Sequence, residues 1–194
     1  NCYILHDPDC GETLVVDPGY PDPKLAEAVA AAGGNLTKIL LTHGHFDHIG
    51  GTDMLKKEYP DCKVIINVAD ADMLTDEKSN LSYYYSGSLT VEPADILVTE
   101  GSELYLGSRK IKIYHTPGHS PGSSMYQIED MLFSGDTLFA GTIGNYDQPG
   151  GSWELYKITL QRIRLLDPAL KLLPGHGSYS TIENELRTNS FLQE

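Results

Sequence analysis

The stretch Thr42-His43-Gly44-His45-Phe46-Asp47-His48 places three imidazoles and a carboxylate within six residues, His43 to His48, and constrains the fold more than any other part of the chain. Lys38-Ile39-Leu40-Leu41 before it is a short apolar run flanked by polar residues, which predicts a buried strand. Ile49-Gly50-Gly51 after it leads into a helical pattern near Thr52. The motif therefore occupies a loop between a strand end and a helix start, at one rim of a sheet. There, neutral imidazole nitrogens and a carboxylate can converge on a divalent cation. A lone His in such a loop is ordinarily a solvated surface residue, but four ligand-type side chains at this spacing point to a metal.

The 194 residues suit one domain, 1–194, with a core large enough to need no disulfides. A net charge of -13 leaves no Lys/Arg excess to neutralise phosphates, which excludes a nucleic-acid surface. No apolar run reaches the length of a membrane span, and no basic segment followed by an apolar one opens the chain as a secretory signal would. Cys2, Cys10 and Cys62 form neither an even set nor a CxxC pair, so a disulfide framework and a cysteine zinc site are not expected. A reduced, cytoplasmic protein is the default expectation.

Along the chain, Tyr3–Leu5 and Thr13–Val16 read as a hairpin. Pro23–Ala32 reads as a helix with Asp22 as N-cap, Pro23 at its first position and Gly33 past its end. A helix over Thr52–Glu58, a strand over Lys63–Asn67 and a short helix over Ala69–Leu74 follow. The interval 75–93 reads as a long loop in which Tyr83, Tyr84 and Tyr85 either wall a cleft or pack over a core edge. Asp95–Val98, Glu103–Leu106 and Arg109–Tyr114 carry antiparallel strand signals, and Met125–Ile128 with Met131–Ser134 reads as a hairpin. A helix over Trp153–Leu166 would bury Leu155, Ile158, Ile163 and Leu166, followed by a strand over Leu170–Leu173 and a helix over Thr181–Arg187. This order predicts an α/β chain with a mixed sheet or pair of sheets covered by helices.

Three more ligand-type residues occupy one repeated context: an apolar strand, a bend-permitting glycine, then the ligand. They are His119 in Pro117-Gly118-His119, Asp136 after Gly135, and His176 after Gly175. With His43, His45, Asp47 and His48 this makes five histidines and two aspartates, too many for one tetrahedral ion with an open position but enough for two.

In this order the motifs His-x-His-x-Asp-His, Gly118-His119, Gly135-Asp136 and Gly175-His176 resemble the metallo-β-lactamase superfamily. Within it, Thr116–Gly122, Phe133–Phe139, Pro149-Gly150-Gly151 and Leu173–Gly177 are similar to the glyoxalase II-like hydrolases, especially their short bacterial forms. The resemblance implies a four-layer αββα sandwich with two divalent metals, zinc before iron or manganese, at one edge. It implies His43, His45 and His119 on the first ion, Asp47, His48 and His176 on the second, and Asp136 bridging. His6 and His115 match no ligand position. A bridging Asp136 weighs against a true β-lactamase. The family's Gly-Arg-x-Asp is replaced by Gly144-Asn145-Tyr146-Asp147, so Asn145, Tyr146 and Tyr84 are candidate substrate residues. Full-length glyoxalase II carries a C-terminal helical glutathione-binding region that is not expected here.

The implied reaction is attack of a metal-bridging hydroxide on a thioester, hydroxyacylglutathione-like or a related ester, with Asp47 and Asp136 as the catalytic carboxylates; the partner is then a small molecule. Competing readings are a mononuclear iron persulfide dioxygenase, which needs two His and one Asp, a lactonase with an assisting Tyr, and a non-catalytic metal-binding module.

Overall fold

A computed structural model describes residues 1–85 and 87–193. Strands β1 (Tyr3–His6), β2 (Thr13–Val16), β3 (Leu36–Leu40), β4 (Lys63–Asn67) and β5 (Ile96–Val98) lie in that order in one sheet. The β1–β2 pair is the expected antiparallel hairpin, and the remaining pairs are parallel. The second sheet has the order β11 (Ser180–Thr181), β10 (Lys171–Pro174), β9 (Met131–Gly135), β8 (Ser124–Ile128), β7 (Arg109–His115) and β6 (Leu104–Leu106).

Side-chain alternation along these strands produces the layers. Leu14 and Val16 of β2, Leu40 of β3 and Ile65 of β4 point between the sheets, where they meet Ile111, Ile113, Tyr126 and Phe133. The intervening residues Val15, Ile39, Val64 and Ile66 face outward onto α1 (Pro23–Ala31) and α3 (Thr52–Glu58), through Val29 and Leu55. On the far side, Met125, Leu132 and Leu172 pack against α5 (Trp153–Ile163) and α6 (Ile182–Thr188). Three apolar layers thus separate four structural ones, the expected αββα sandwich.

Strand directions position the site. β7 is antiparallel to β8 and β8 to β9, so β7 and β9 run the same way, and β10 is parallel to β9. The segments leaving β7, β9 and β10 carry His119, Asp136 and His176 to one rim, where the segment leaving β3 brings His43 to His48.

Local signals are met at α1: Asp22 Oδ1 accepts from Lys24 N at 2.9 Å, with Pro23 opening the helix. Four expectations are corrected. β5 and β6 do not pair, because β5 joins β4 and β6 joins β7; the turn between them carries the chain from one sheet to the other. Leu155 and Ile158 are 43% and 57% exposed, and α5 turns Tyr156, Thr159 and Leu160 inward beside the expected Ile163. The Tyr156 hydroxyl decides that face, donating to Thr137 O at 2.6 Å and accepting from Gly144 N at 3.1 Å. Within the expected tyrosine loop, Ser82–Tyr85 forms a helical turn, α4. Likewise Phe46–Ile49, inside the histidine motif, is a turn of helix, α2. Cys2, Cys10 and Cys62 are free, and among the described residues no helix is long and apolar enough to cross a membrane.

The fully buried Glu185 ties α6 to the loop after β9, accepting from Gly141 N at 2.7 Å and Asn189 Nδ2 at 3.0 Å, with Ser180 Oγ also donating. Burial raises its pKa, but these bonds lower it further, to below its ordinary value of 4.5. A depressed carboxylate contributes stability above the unfolded pKa, which is lost as the pH falls through the folded one. Glu185→Gln is therefore expected to lower the unfolding free energy by about 2 kcal/mol at pH 7. Denaturant titrations should show that difference shrinking below pH 4.5, and a pH-independent difference would contradict it.

Candidate metal centre

His43, His45, His48 and His119 are each at most 4% exposed. Such burial is costly for imidazoles unless their polar atoms are engaged. Several outward-facing nitrogens are engaged. Thr42 Oγ1 gives its single proton to Asp17 Oδ2 at 2.6 Å and so accepts from His43 Nδ1 at 3.1 Å. His48 Nδ1 donates to Asp17 Oδ2 at 2.9 Å, and His119 Nδ1 donates to Asn145 O at 2.7 Å. With Nδ1 protonated in all three, each Nε2 lone pair faces a common centre.

At that centre the ring nitrogens crowd together. His119 Nε2 lies 2.9 Å from His45 Nδ1 and 3.2 Å from His43 Nε2, and His48 Nε2 lies 3.3 Å from His176 Nε2. Asp47 Oδ2 approaches His176 Nε2 to 3.1 Å and His48 Nε2 to 3.7 Å. Asp136 sits between, with Oδ1 3.3 Å from His48 Nε2 and Oδ2 3.6 Å from both His119 Nε2 and His176 Nε2. His45 Nε2 and Asp136 Oδ1 are buried without any hydrogen-bond partner.

These spacings fit a cation: tetrahedral zinc with bonds of about 2.0–2.1 Å holds its ligand atoms about 3.3 Å apart. Three groups have ligand atoms close enough to hold an ion: His43/His45/His119, Asp47/His48/His176, and His43/His48/Asp136. All seven expected residues are thus brought together.

Electrostatics divides the cluster. Burial, then neighbouring imidazoles, pushes His43 far below its ordinary pKa and His45 to about 3; burial also lowers His119, although Asp136 opposes it. These three are neutral, the form that binds metals. Burial pulls His48 down too, but Asp136 and Asp17 more than offset it, and its pKa is raised. A hydrogen bond to Asp47 raises His176. Burial raises Asp47 and Asp136, but His176 for the first and His48 for the second pull harder, so both carboxylates lie below their ordinary range.

Glycine is required at two of the strand ends. Gly135 has φ +50° with the Thr42 side chain against it, and a Cβ on Gly175 would collide with the Asp136 carboxylate and sit 2.7 Å from His48 Cε1. The repeated glycine before a ligand therefore serves both bending and close approach.

Two residues missed in the sequence hold the ligands in place. Asp17, 3% exposed at φ +51°, accepts from Thr42 N and Oγ1 and from His48 Nδ1. Its available signal was a carboxylate directly after the apolar run Leu14-Val15-Val16 of β2, at the same rim. Asp70, fully buried in the 3-10 turn Val68–Leu74, accepts from Gly44 N at 3.1 Å, Ser120 Oγ at 2.6 Å and Gly122 N at 2.5 Å, tying the His43–His45 loop to the His119 loop. Burial raises its pKa despite those bonds. Its partners are 26 to 52 residues away, so no local signal announced it.

Beside the centre is a cleft of about 260 Å³ lined in part by Phe46, Leu81, Tyr85, Asn145 and Gln148. Asn145 is in it as expected. Tyr84 and Tyr146 are not among its lining residues: Tyr84 stacks edge-on against Tyr83 at 5.3 Å, and Tyr146 packs on Trp153 at 4.8 Å. Tyr85 and Gln148 line the cleft as well as Asn145. His6 bonds Thr13 Oγ1 and His115 bonds Pro121 O, both outside the cluster.

The Metallo-beta-lactamase superfamily profile matches residues 1–176. The chain belongs to the metallo-β-lactamase superfamily. Among solved members, the chain is similar to the B3 metallo-β-lactamase BLEG-1, with 35% identity and a TM-score of 0.93 over 100% of this chain and 94% of that one. It is similar to TTHA1623 in a di-iron-bound form, with 31% identity and a TM-score of 0.87 over 99% and 94%. The hydroxyacylglutathione hydrolase GloC of Haemophilus influenzae is 31% identical over 99% of this chain and 92% of its own length. These relatives are named for different activities, and the chain is placed in a metallo-hydrolase superfamily with room for a two-metal site.

Proposed function

We propose that this chain is a two-metal hydrolase of thioesters or related esters. His43, His45 and His119 would hold one ion and Asp47, His48 and His176 the other, with Asp136 placed between the two groups. The observation that carries the reading is Asp136: its two oxygens reach His48, His119 and His176 at 3.3–3.6 Å, and Oδ1 has no other partner. When bound, paired divalent ions lower the pKa of water and polarise an acyl carbonyl. Zinc is the ion proposed, and imidazole–carboxylate sets also suit iron and manganese.

The chain's own groups do the rest. Asp17, Thr42 and the Asn145 carbonyl orient His48, His43 and His119 through their Nδ1 atoms. Asp47, ionised and lining the cleft, sets a negative charge beside the reacting centre. Gln148 Nε2, 3.3 Å from His119 Nε2, places an amide donor at the mouth of the centre. No Ser or Cys nucleophile is needed, and none lines the cleft among the described residues.

Metal analysis with a panel of thioesters, lactones and β-lactams tests the reading. About two ions per chain and thioester turnover are expected; a metal-free protein that retains activity, or β-lactam turnover alone, would overturn it. A second reading, an iron dioxygenase acting on persulfides, is favoured by the group His43/His48/Asp136, two His and one carboxylate. Oxygen consumption with a persulfide and no thioester turnover would select it. Since bound metal stabilises only the folded chain, stripping it with a chelator is expected to lower Tm by roughly 10 °C. A scanning-fluorimetry trace unmoved by chelator would count against a resident ion.

A further inference from the structure

The cleft beside the centre has a built wall. Leu81 holds φ +70°, a left-handed conformation that is strained for a bulky residue and persists only where its surroundings enforce it. Here a hydrogen-bonded frame enforces it. Phe46 N donates to Asn80 O at 3.0 Å, Ser82 N to Asn80 Oδ1 at 2.9 Å, Asn80 Nδ2 to Leu89 O at 2.8 Å, and Leu89 N to Ser82 Oγ at 3.0 Å. A turn needed only to cross this space would place Gly or Asn at such an angle. Placing Leu there instead gives the cleft a largely buried apolar lining residue, 4% exposed, together with Tyr85 and Phe46, whose rings stack at 6.1 Å and 18°. The lining also includes two uncharged amides, Asn145 and Gln148, beside the centre's own His45, Asp47, His119 and Asp136, and among the described lining residues none is Lys or Arg. At about 260 Å³ the space is smaller than the roughly 300–1,000 Å³ of pockets that enclose whole ligands, so it suits an acyl group whose leaving group stays in solvent.

We propose that Phe46, Leu81 and Tyr85 form an acyl-selecting pocket, and that the substrate is a thioester or ester with an uncharged apolar acyl group, an aromatic ring stacking on Tyr85 being the best fit. This rests on the hydrolase reading above. The ring lies along the Phe46–Tyr85 wall, and the Gln148 amide donates toward the acyl oxygen. Selectivity is then set by the acyl side and not by recognition of the thiol.

The test uses metal-loaded wild type, Tyr85→Ala and Leu81→Ala. Two non-hydrolysable ketone analogues of N-acetylcysteamine thioesters, with a methylene between carbonyl and sulfur, carry either a methyl or a benzyl group. Calorimetry gives their Kd values, and the matching acetyl and phenylacetyl thioesters give kcat/KM. The benzyl analogue is expected to bind at least about 10-fold more tightly to wild type, falling to within about 3-fold of the methyl analogue in Tyr85→Ala. Tyr85 is 73% exposed, so its truncation leaves the core intact and serves where Leu81→Ala unfolds. Equal binding of the two analogues to wild type, or a preference that survives Tyr85→Ala, overturns the pocket. Selective binding with no turnover of any thioester or ester supports the pocket and overturns the hydrolase reading; turnover indifferent to the acyl group does the reverse.

Discussion

Asp136→Asn is expected to cut kcat/KM on any thioester this chain turns over by on the order of 10³-fold or more, above the roughly 10–100-fold that losing an outer hydrogen-bond partner costs. The substitution keeps the volume and removes the charge. Asp136 is the carboxylate facing His48, His119 and His176 together. Burial alone would raise its pKa, but His48 and His119 hold it below its ordinary range, so wild type keeps it ionised at neutral pH. Without that charge, ions held by mainly neutral imidazoles repel each other uncompensated. The expected metal content is therefore about one ion per chain where wild type holds about two, with an unchanged circular-dichroism spectrum. Two ions retained with turnover within 10-fold of wild type would remove Asp136 from the role proposed for it.

Asp17→Ala is expected to strike stability and metal affinity together. Three buried donors, Thr42 N, Thr42 Oγ1 and His48 Nδ1, lose their acceptor at once. Each stranded buried donor costs about 1–3 kcal/mol, so a loss of about 3 kcal/mol is a conservative total. His48 loses the partner that fixes its tautomer, which should weaken the ion held with Asp47 and His176 by about 10–100-fold. Thr42 also loses its proton acceptor, so its hydroxyl no longer has to present lone pairs to His43 Nδ1. Denaturant titration reads the first effect and competition with a metal-binding dye the second. Asp17→Asn, which retains an acceptor oxygen, should recover more of the stability than of the affinity. An Asp17→Ala protein with wild-type affinity would show that His48 is oriented by packing alone.

The residues proposed to hold metal were legible as a set because few side chains bind divalent ions and because each stands after a strand-ending turn. His43, His45, Asp47 and His48 share one such turn; His119, Asp136 and His176 repeat the glycine-then-ligand pattern. Gly175 shows why that pattern is informative, since any Cβ there would occupy the space of the Asp136 carboxylate. Elements with local signals, such as α1 with Asp22 and Pro23, were readable for the same reason. Leu155 and Ile158 were misread because apolar spacing on α5 is compatible with two faces 100° apart, and a hydroxyl on Tyr156 chose between them. Tyr84 and Tyr85 are adjacent in the chain, and the ring of Phe46 selected the second.

From its own residues the chain determined a strand–helix sandwich carrying five imidazoles and two carboxylates at turns, because hydrophobic period and ligand chemistry are local properties. Tertiary structure alone decided that β7, β9 and β10 run in one direction and so deliver His119, Asp136 and His176 to the rim that holds His43 to His48. It alone recruited Asp17 and Asp70, and it alone set Leu81 and Tyr85 against Gln148. The physical reason is the same in each case. A buried carboxylate or an apolar wall acquires its role from partners tens of residues distant, and only strand pairing and packing bring those partners within hydrogen-bonding or van der Waals range.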